Sequence, residues 1–317
     1  MTEKNHLIEH WPNGNKKREG FYKDYANKPY GVNDKHGVWT SWYENGEKKA
    51  EISHAYGCRD GWASSWHENG ELASTAPYTK GHLDGYVSSW YEDGKQAFQG
   101  EYACGETGEW KAWFKNGQLK YQGYFWNHFS HSGHFEHGDY DAVEEKYNYE
   151  EWMDDDDVLD DEWEESWHDT SIDFWWDDFG DGREGTWTSW YENGQKKSEI
   201  NYKDYDELQI PEGLPIFEQN GAAIEWYENG QIKSEGNYAE NCKIGKFKEW
   251  YESGGIKSIT LYLNWWDYPE PYDDPYWGQE LKDGKCIVFD EEGEIRSEEY
   301  YIKGKLIESN EYPIIDD

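Results

Sequence analysis

The sequence predicts an all-β protein, an elongated array of antiparallel β-hairpins with an acidic insertion. Three observations carry this. A short unit recurs almost literally, as WYENGEKKAEI at 42–52, WYENGQKKSEINY at 190–202 and WYENGQIKSEGNY at 226–238, and a fixed short period marks a repeat array. Asn-Gly or Asp-Gly stands between strand-like segments, a strong hairpin signal. Apolar residues are only 35% of the 317, yet Phe, Trp and Tyr make up 19%, so burial rests on rings rather than on a layered aliphatic core.

Alignment on the turn glycine finds nine copies, at Gly14, Gly46, Gly70, Gly94, Gly117, Gly194, Gly230, Gly254 and Gly293, with uninterrupted spacings of 23 or 24 residues. Asn-Gly predicts a two-residue type I′ turn with positive φ at both positions. That turn sets Tyr191 opposite Lys196, Trp190 opposite Lys197 and Trp187 opposite Ile200. Nine residues before the turn glycine a second glycine stands in eight copies: Gly37, Gly61, Gly85, Gly108, Gly185, Gly221, Gly245 and Gly284. It marks the hand-over between hairpins, where unusual φ or close backbone approach is needed. Eight residues after the turn comes a Tyr or Phe, with His54 the exception, and an aromatic at one fixed place per hairpin is expected to stack on its neighbours.

Alternation along the strands puts Trp187, Tyr191, Ile200 and Tyr202 on one face, with the small Ser189 and Ser198 leaving room for the rings. The other face is polar except for one Trp per hairpin: Trp42, Trp66, Trp90, Trp113, Trp190, Trp226 and Trp250. Two compatible readings of this row stand. Each indole stiffens the sheet over its polar neighbours, or is turned inward by a bulge. Alternatively, the row is a ladder of anchors for a partner protein.

The pattern G-x-x-x-x-W-Y-x-N-G-x-x-K-x-E-x-x-Y resembles the variant form of the MORN repeat, as found in bacterial antitoxins of the YwqK type. The resemblance covers nearly all of the chain outside its insertions. It implies a sheet of stacked antiparallel hairpins and, more loosely, an antitoxin or immunity role. Eukaryotic MORN proteins are linked instead with membranes and scaffolding, a reading that the negative charge here weakens.

The glycine spacing is longer at four places, dividing the chain into hairpins 1–5 (1–126), an acidic Trp-rich insertion (127–184) and hairpins 6–9 (185–317), with shorter insertions elsewhere. Insertions in repeat arrays are extruded as loops and often carry function. Residues 127–184 hold 22 Asp and Glu against Lys146 and Arg183, more than half of the chain's net charge of -38. Such acidity reads as a solvated loop. It also reads as a mimic of a nucleic-acid backbone that enters a basic cleft, because Leu159, Trp163 and Trp167 fall on one helical face behind Asp154, Asp155, Asp156 and Asp157, with Asp160 and Asp161 beside them. His128, His131, His134 and His137 lead into the insertion, but their spacing matches no metal site, so no metal and no cofactor is expected. The segment 264–280 holds three prolines among aromatic and acidic residues, and reads equally as a lid or as a second contact patch.

The charge disfavours direct nucleic-acid and anionic-membrane binding and favours cationic partners. The N-terminal residues contain no apolar targeting core and no run of about 18 apolar residues occurs, so a cytoplasmic protein is expected. Cys58, Cys104, Cys242 and Cys286 are scattered and read as reduced thiols. No phosphate loop, nucleophile elbow or Cys/His pair is found, and the glycines are used by turns, so no enzyme is expected. The expected function is an antitoxin or immunity protein, monomeric when free, that occludes the active site of a basic, nucleic-acid-directed toxin. Its partner-binding residues are the seven-Trp row together with Asp154–Asp157, Asp160, Asp161, Trp163 and Trp167. The alternative is a non-enzymatic scaffold for protein assembly or membrane association.

Overall fold

The repeat becomes strand, tight turn, strand, handed on at a glycine. The computed structural model describes residues 5–23, 34–102, 108–125, 183–202, 219–239, 241–264 and 279–313. Among them the regular structure is entirely β. Two compact units divide the strands. The first contains β1 (Asn5–His10), β2 (Lys16–Lys23), β3 (Asp34–Trp42), β4 (Lys48–Ala55), β5 (Cys58–Trp66), β6 (Leu72–Thr79), β7 (His82–Leu83), β8 (Gly85–Trp90), β9 (Gln96–Tyr102) and β10 (Gly108–Trp113). The second contains β11 (Leu119–Phe125), β12 (Arg183–Trp190), β13 (Lys196–Tyr202), β14 (Gln219–Trp226), β15 (Ile232–Ala239), β16 (Cys242–Trp250), β17 (Ile256–Tyr262), β18 (Gly284–Phe289), β19 (Ile295–Ile302) and β20 (Lys305–Glu311). Within each unit strands pair antiparallel in chain order, with β6 spanning both β7 and β8.

The Asn-Gly turns differ from the expected type. Gly194 donates its N–H to the Tyr191 carbonyl at 2.9 Å and Tyr191 donates to the Gln195 carbonyl at 2.8 Å. This is a three-residue loop, with positive φ at the glycine (+85°) and not at Asn193. A type I turn followed by a left-handed glycine has this bonding. Trp190 therefore pairs with Lys196, one residue away from the expected Lys197, while Trp187↔Ile200, Thr188↔Glu199 and Ser189↔Ser198 pair as expected. The extra residue is absorbed as a bulge between Ser189 and Trp190, and the same irregularity recurs at Trp42, Trp66, Trp90, Trp226 and Trp250. Two-residue loops with positive φ at both positions occur at the opposite strand ends instead, at Tyr56-Gly57, Lys80-Gly81 and Lys303-Gly304.

The hinge glycines behave as their spacing requires. Seven of the eight have positive φ; at Gly108 a Cβ would stand 2.7 Å from the Glu101 carbonyl oxygen, so close backbone approach is the constraint. Each positive-φ hinge faces the residue eight past the turn, as in Gly61↔Tyr78, Gly185↔Tyr202 and Gly37↔His54. All four long spacings fall at hinge ends, between paired residues: Lys23↔Asp34, Phe125↔Arg183, Tyr202↔Gln219 and Tyr262↔Lys282.

One face is packed. Trp39, Trp110, Trp187, Phe247, Tyr78 and Tyr202 are buried, and Ser41, Ser65 and Ser189 lie buried among them. Each ring two residues past a hinge fits a gap in the preceding hairpin. A Cβ at Gly20, Gly123 or Gly236 would collide with Trp39, Trp187 or Phe247 respectively. Where the ring is replaced by Ala63 or Ala223, the residue opposite is Ile52 or Ile200. Volume is thus conserved across the strand pair, as close packing demands. The fixed aromatics do not form one continuous stack; they meet these rings edge-on, Tyr238 and Tyr262 flanking Phe247 at 5.6 and 6.1 Å, an arrangement favoured by ring quadrupoles.

Candidate protein-interaction surface

Most of the repeated motif is used to join hairpins. The Tyr43 hydroxyl donates to the Trp66 carbonyl at 2.9 Å, and Tyr91 to Trp113, Tyr191 to Trp226 and Tyr227 to Trp250 do the same at 2.7 to 2.9 Å. Beside this ladder runs a second. Asn45 Nδ2 donates to the Glu68 carbonyl, Asn69 to Glu92, Asn193 to Glu228 and Asn229 to Glu252, while each Oδ1 accepts the N–H two residues on. Asp93 has no such N–H to give. There Lys95 Nζ reaches the Lys115 carbonyl instead, at 2.8 Å. The Asn is therefore selected for its amide, not for left-handed φ.

The seven-Trp row is half-buried throughout. A lysine from the preceding hairpin covers several of its rings: Lys16 over Trp42 at 5.3 Å, Lys48 over Trp66 at 4.8 Å and Lys196 over Trp226 at 5.6 Å. These lysines pair with Glu19, Glu51 and Glu199 at 2.5 to 2.6 Å. Cation–π contact at such sites contributes about 0.5–1 kcal/mol. The arrangement fits the stiffening reading of the row. The acidic candidates Asp154–Asp157, Asp160, Asp161, Trp163 and Trp167 lie outside the described residues, as do the four insertion histidines and Cys104.

On the packed face a second set of cations lies over the rings. Arg183 sits over Trp187 and Tyr202 and donates to the Tyr202 hydroxyl at 2.6 Å, and Lys243 sits over Phe247 and Tyr262. Burial pushes the Tyr238 and Tyr262 hydroxyls up to about 12. His54, in the place of a tyrosine, is 8% exposed, and burial together with Lys35 and Arg59 lowers its pKa to about 4 against a weaker opposing bond to the Ile52 carbonyl.

The sequence reading missed the exposed rings. The residue just after the hinge glycine alternates away from the packed face. In three successive hairpins of the first unit it is large and apolar: Val38 is 48% exposed, Trp62 59% and Tyr86 55%. Pro77 lies opposite Trp62 and Glu101 opposite Tyr86, so the positions form one lane. The equivalent positions in the second unit are Thr186, Ala222, Lys246 and Lys285. Hairpin packing therefore does not require bulk at this place. Comparing the residue after each hinge glycine, copy by copy, is the signal that would have found Trp62. Among the described residues no group of three or more His, Cys, Asp or Glu gathers as a metal site, and no helix is long and apolar enough to cross a membrane.

The family model described as MORN repeat variant matches residues 35–55, 106–127, 183–204, 219–240, 243–264 and 282–303. No curated protein matches the chain. Among solved structures, one described as "Crystal Structure of TcdB2-TccC3-Cdc42" aligns at 9% identity over 93% of this chain and 15% of its own, with a TM-score of 0.14; a likeness that slight carries neither fold nor function. The chain thus spans a small part of that structure's length. The hairpins turning at Gly14, Gly70 and Gly94 lie outside the matched segments yet keep the same turn bond. The chain is an all-β hairpin array in which six segments match the MORN repeat variant family.

Proposed function

We propose that this chain is a non-enzymatic antitoxin or immunity protein that acts by binding and covering a cationic partner protein, with a basic toxin as the expected partner. The observation that carries the reading is the pairing of a net charge of -38 with solvent-facing rings that the fold does not need, Trp62 and Tyr86. Charge raises the rate of encounter with a basic protein, and exposed Trp and Tyr hold the complex. Within each unit, side-chain ladders join neighbouring hairpins in addition to the backbone bonds, so little ordering cost falls on a surface within that unit.

The test is affinity capture from the native host followed by mass spectrometry, with full-length bait beside a bait lacking residues 127–182. Phe125 and Arg183 are paired across β11 and β12, so that deletion leaves chain ends on adjacent strands. One basic partner, whose toxicity is relieved by co-expression of the full chain, is the expected result. Recovery of several partners without charge preference would contradict neutralisation and favour an assembly scaffold.

A further inference from the structure

We propose that the lane formed by Trp62, Pro77 and Tyr86, closed at one end by Glu101 and Glu109, is a docking strip for an extended, arginine-bearing segment of the partner. The inference rests on the reading that the chain binds a cationic protein, and it names where and by what chemistry.

Geometry comes first. Trp62 pairs with Pro77, and Pro77 adjoins the first residues of β8: a Cβ on Gly85 would stand 2.8 Å from Pro77 Cγ, and Asp84 donates its N–H to the Pro77 carbonyl at 3.1 Å. Proline is ordinarily excluded from a central strand because it donates no ladder bond. Here it falls between the β6–β7 and β6–β8 pairings, where the ladder is broken. It stands on β6, the strand between those of Trp62 and Tyr86. Two strand spacings separate Trp62 from Tyr86, about 10 Å.

Charge then selects the occupant. The Tyr86 hydroxyl is hydrogen-bonded to Glu101, and Glu109 is close enough to act on it. Glu109 is itself bound by Lys111 at 2.7 Å. Rings bordered by carboxylates suit a guanidinium, which stacks on an aromatic face while its edge donates to carboxylate oxygens. A strip without walls suits an extended peptide. In a polyproline II helix every third side chain returns to the same side after about 9 Å, close to the ring spacing, so arginines three residues apart meet Trp62 and Tyr86 together.

The hairpins that carry both rings, turning at Gly70 and Gly94, lie outside the segments that match the family. The equivalent positions in the second unit carry Thr186, Ala222, Lys246 and Lys285, so the paired rings are confined to these two hairpins among the described residues.

The experiment uses the full-length protein and the peptide Ac-(Arg-Pro-Pro)4-NH2 at physiological salt, followed by calorimetry. The Trp62→Ala/Tyr86→Ala variant keeps the net charge, so attraction to the acidic chain at large is unchanged. A loss of affinity of about tenfold or more, as two ring–cation contacts imply, with a several-fold loss in Glu101→Gln, is the expected result. Equal binding by variant and parent, or no binding by the parent, would overturn the strip. So would ring-dependent binding of cellohexaose in place of the peptide, which would make the strip a glycan platform. Any of these leaves the wider reading standing if the captured basic partner still binds the variant.

Discussion

Gly100 on β9 lies directly beneath the indole of Trp110 on β10: a Cβ added to the glycine would stand 2.6 Å from Trp110 Cδ2. The two residues are paired across the ladder, and Trp110 is 7% exposed. The ring thus occupies the space that a side chain at position 100 would take. Gly100→Ile is expected to cost about 3 kcal/mol, as overpacking does. Adding Trp110→Ala reproduces the Ile52↔Ala63 arrangement present in the same unit, and should recover much of that loss. Urea unfolding of the two single variants and the double variant measures the coupling.

The amide ladder makes a similarly specific prediction. Asn69→Asp removes the bond from Nδ2 to the Glu92 carbonyl and sets a carboxylate beside that oxygen, so a loss of about 1 kcal/mol is expected. Glu71→Lys in the same chain recreates the Asp93 and Lys95 arrangement, in which Lys95 Nζ supplies the bond. The double variant should regain most of the loss, read from the same unfolding curves.

His54 gives the acid response. Its pKa is about 4 in the folded chain against about 6.5 when unfolded. The unfolded chain therefore binds the extra proton first. This contribution to stability is fully present above about pH 6.5, declines as pH falls, and is exhausted below about pH 4. It amounts to about 3 kcal/mol. Carboxylates titrate in the same range, so the difference between parent and His54→Tyr, the residue type at the matching place in most copies, isolates the effect. The variant should lose less stability between pH 6.5 and 4 in thermal melts.

The two Trp positions of β5 should separate cleanly. Trp66 is half-buried beneath Lys48, and Trp66→Ala is expected to cost about 2 kcal/mol. Trp62 is 59% exposed, and Trp62→Ala should change stability by less than about 0.5 kcal/mol. Equal costs would place Trp62 in the packing and remove it from the interaction surface.

The contrast shows what was legible in the sequence. The hairpins, their glycines and the pairing of Trp187 with Ile200 follow from a period and an alternation, both visible without coordinates. The turn type was not, because Asn193 serves two roles: its carbonyl caps its own turn and its amide crosses to the next hairpin. Propensity alone reads Asn-Gly as left-handed at both positions. The pairing of Gly20 with Trp39 joins residues that belong to different hairpins, and their volumes balance only once the strands are set side by side. Trp62 stands at a place that varies from copy to copy, whereas the seven-Trp row is repeated, and repetition reports what the fold uses rather than what it leaves exposed.

The most direct measurement is host-extract capture on parent and Trp62→Ala/Tyr86→Ala baits in parallel, with affinity for the recovered protein then measured in purified form. One basic protein is expected, bound by the parent and weakened about tenfold or more by loss of the two rings. The absence of any basic partner would contradict neutralisation, and a basic partner held equally by both baits would remove the two rings from the interface.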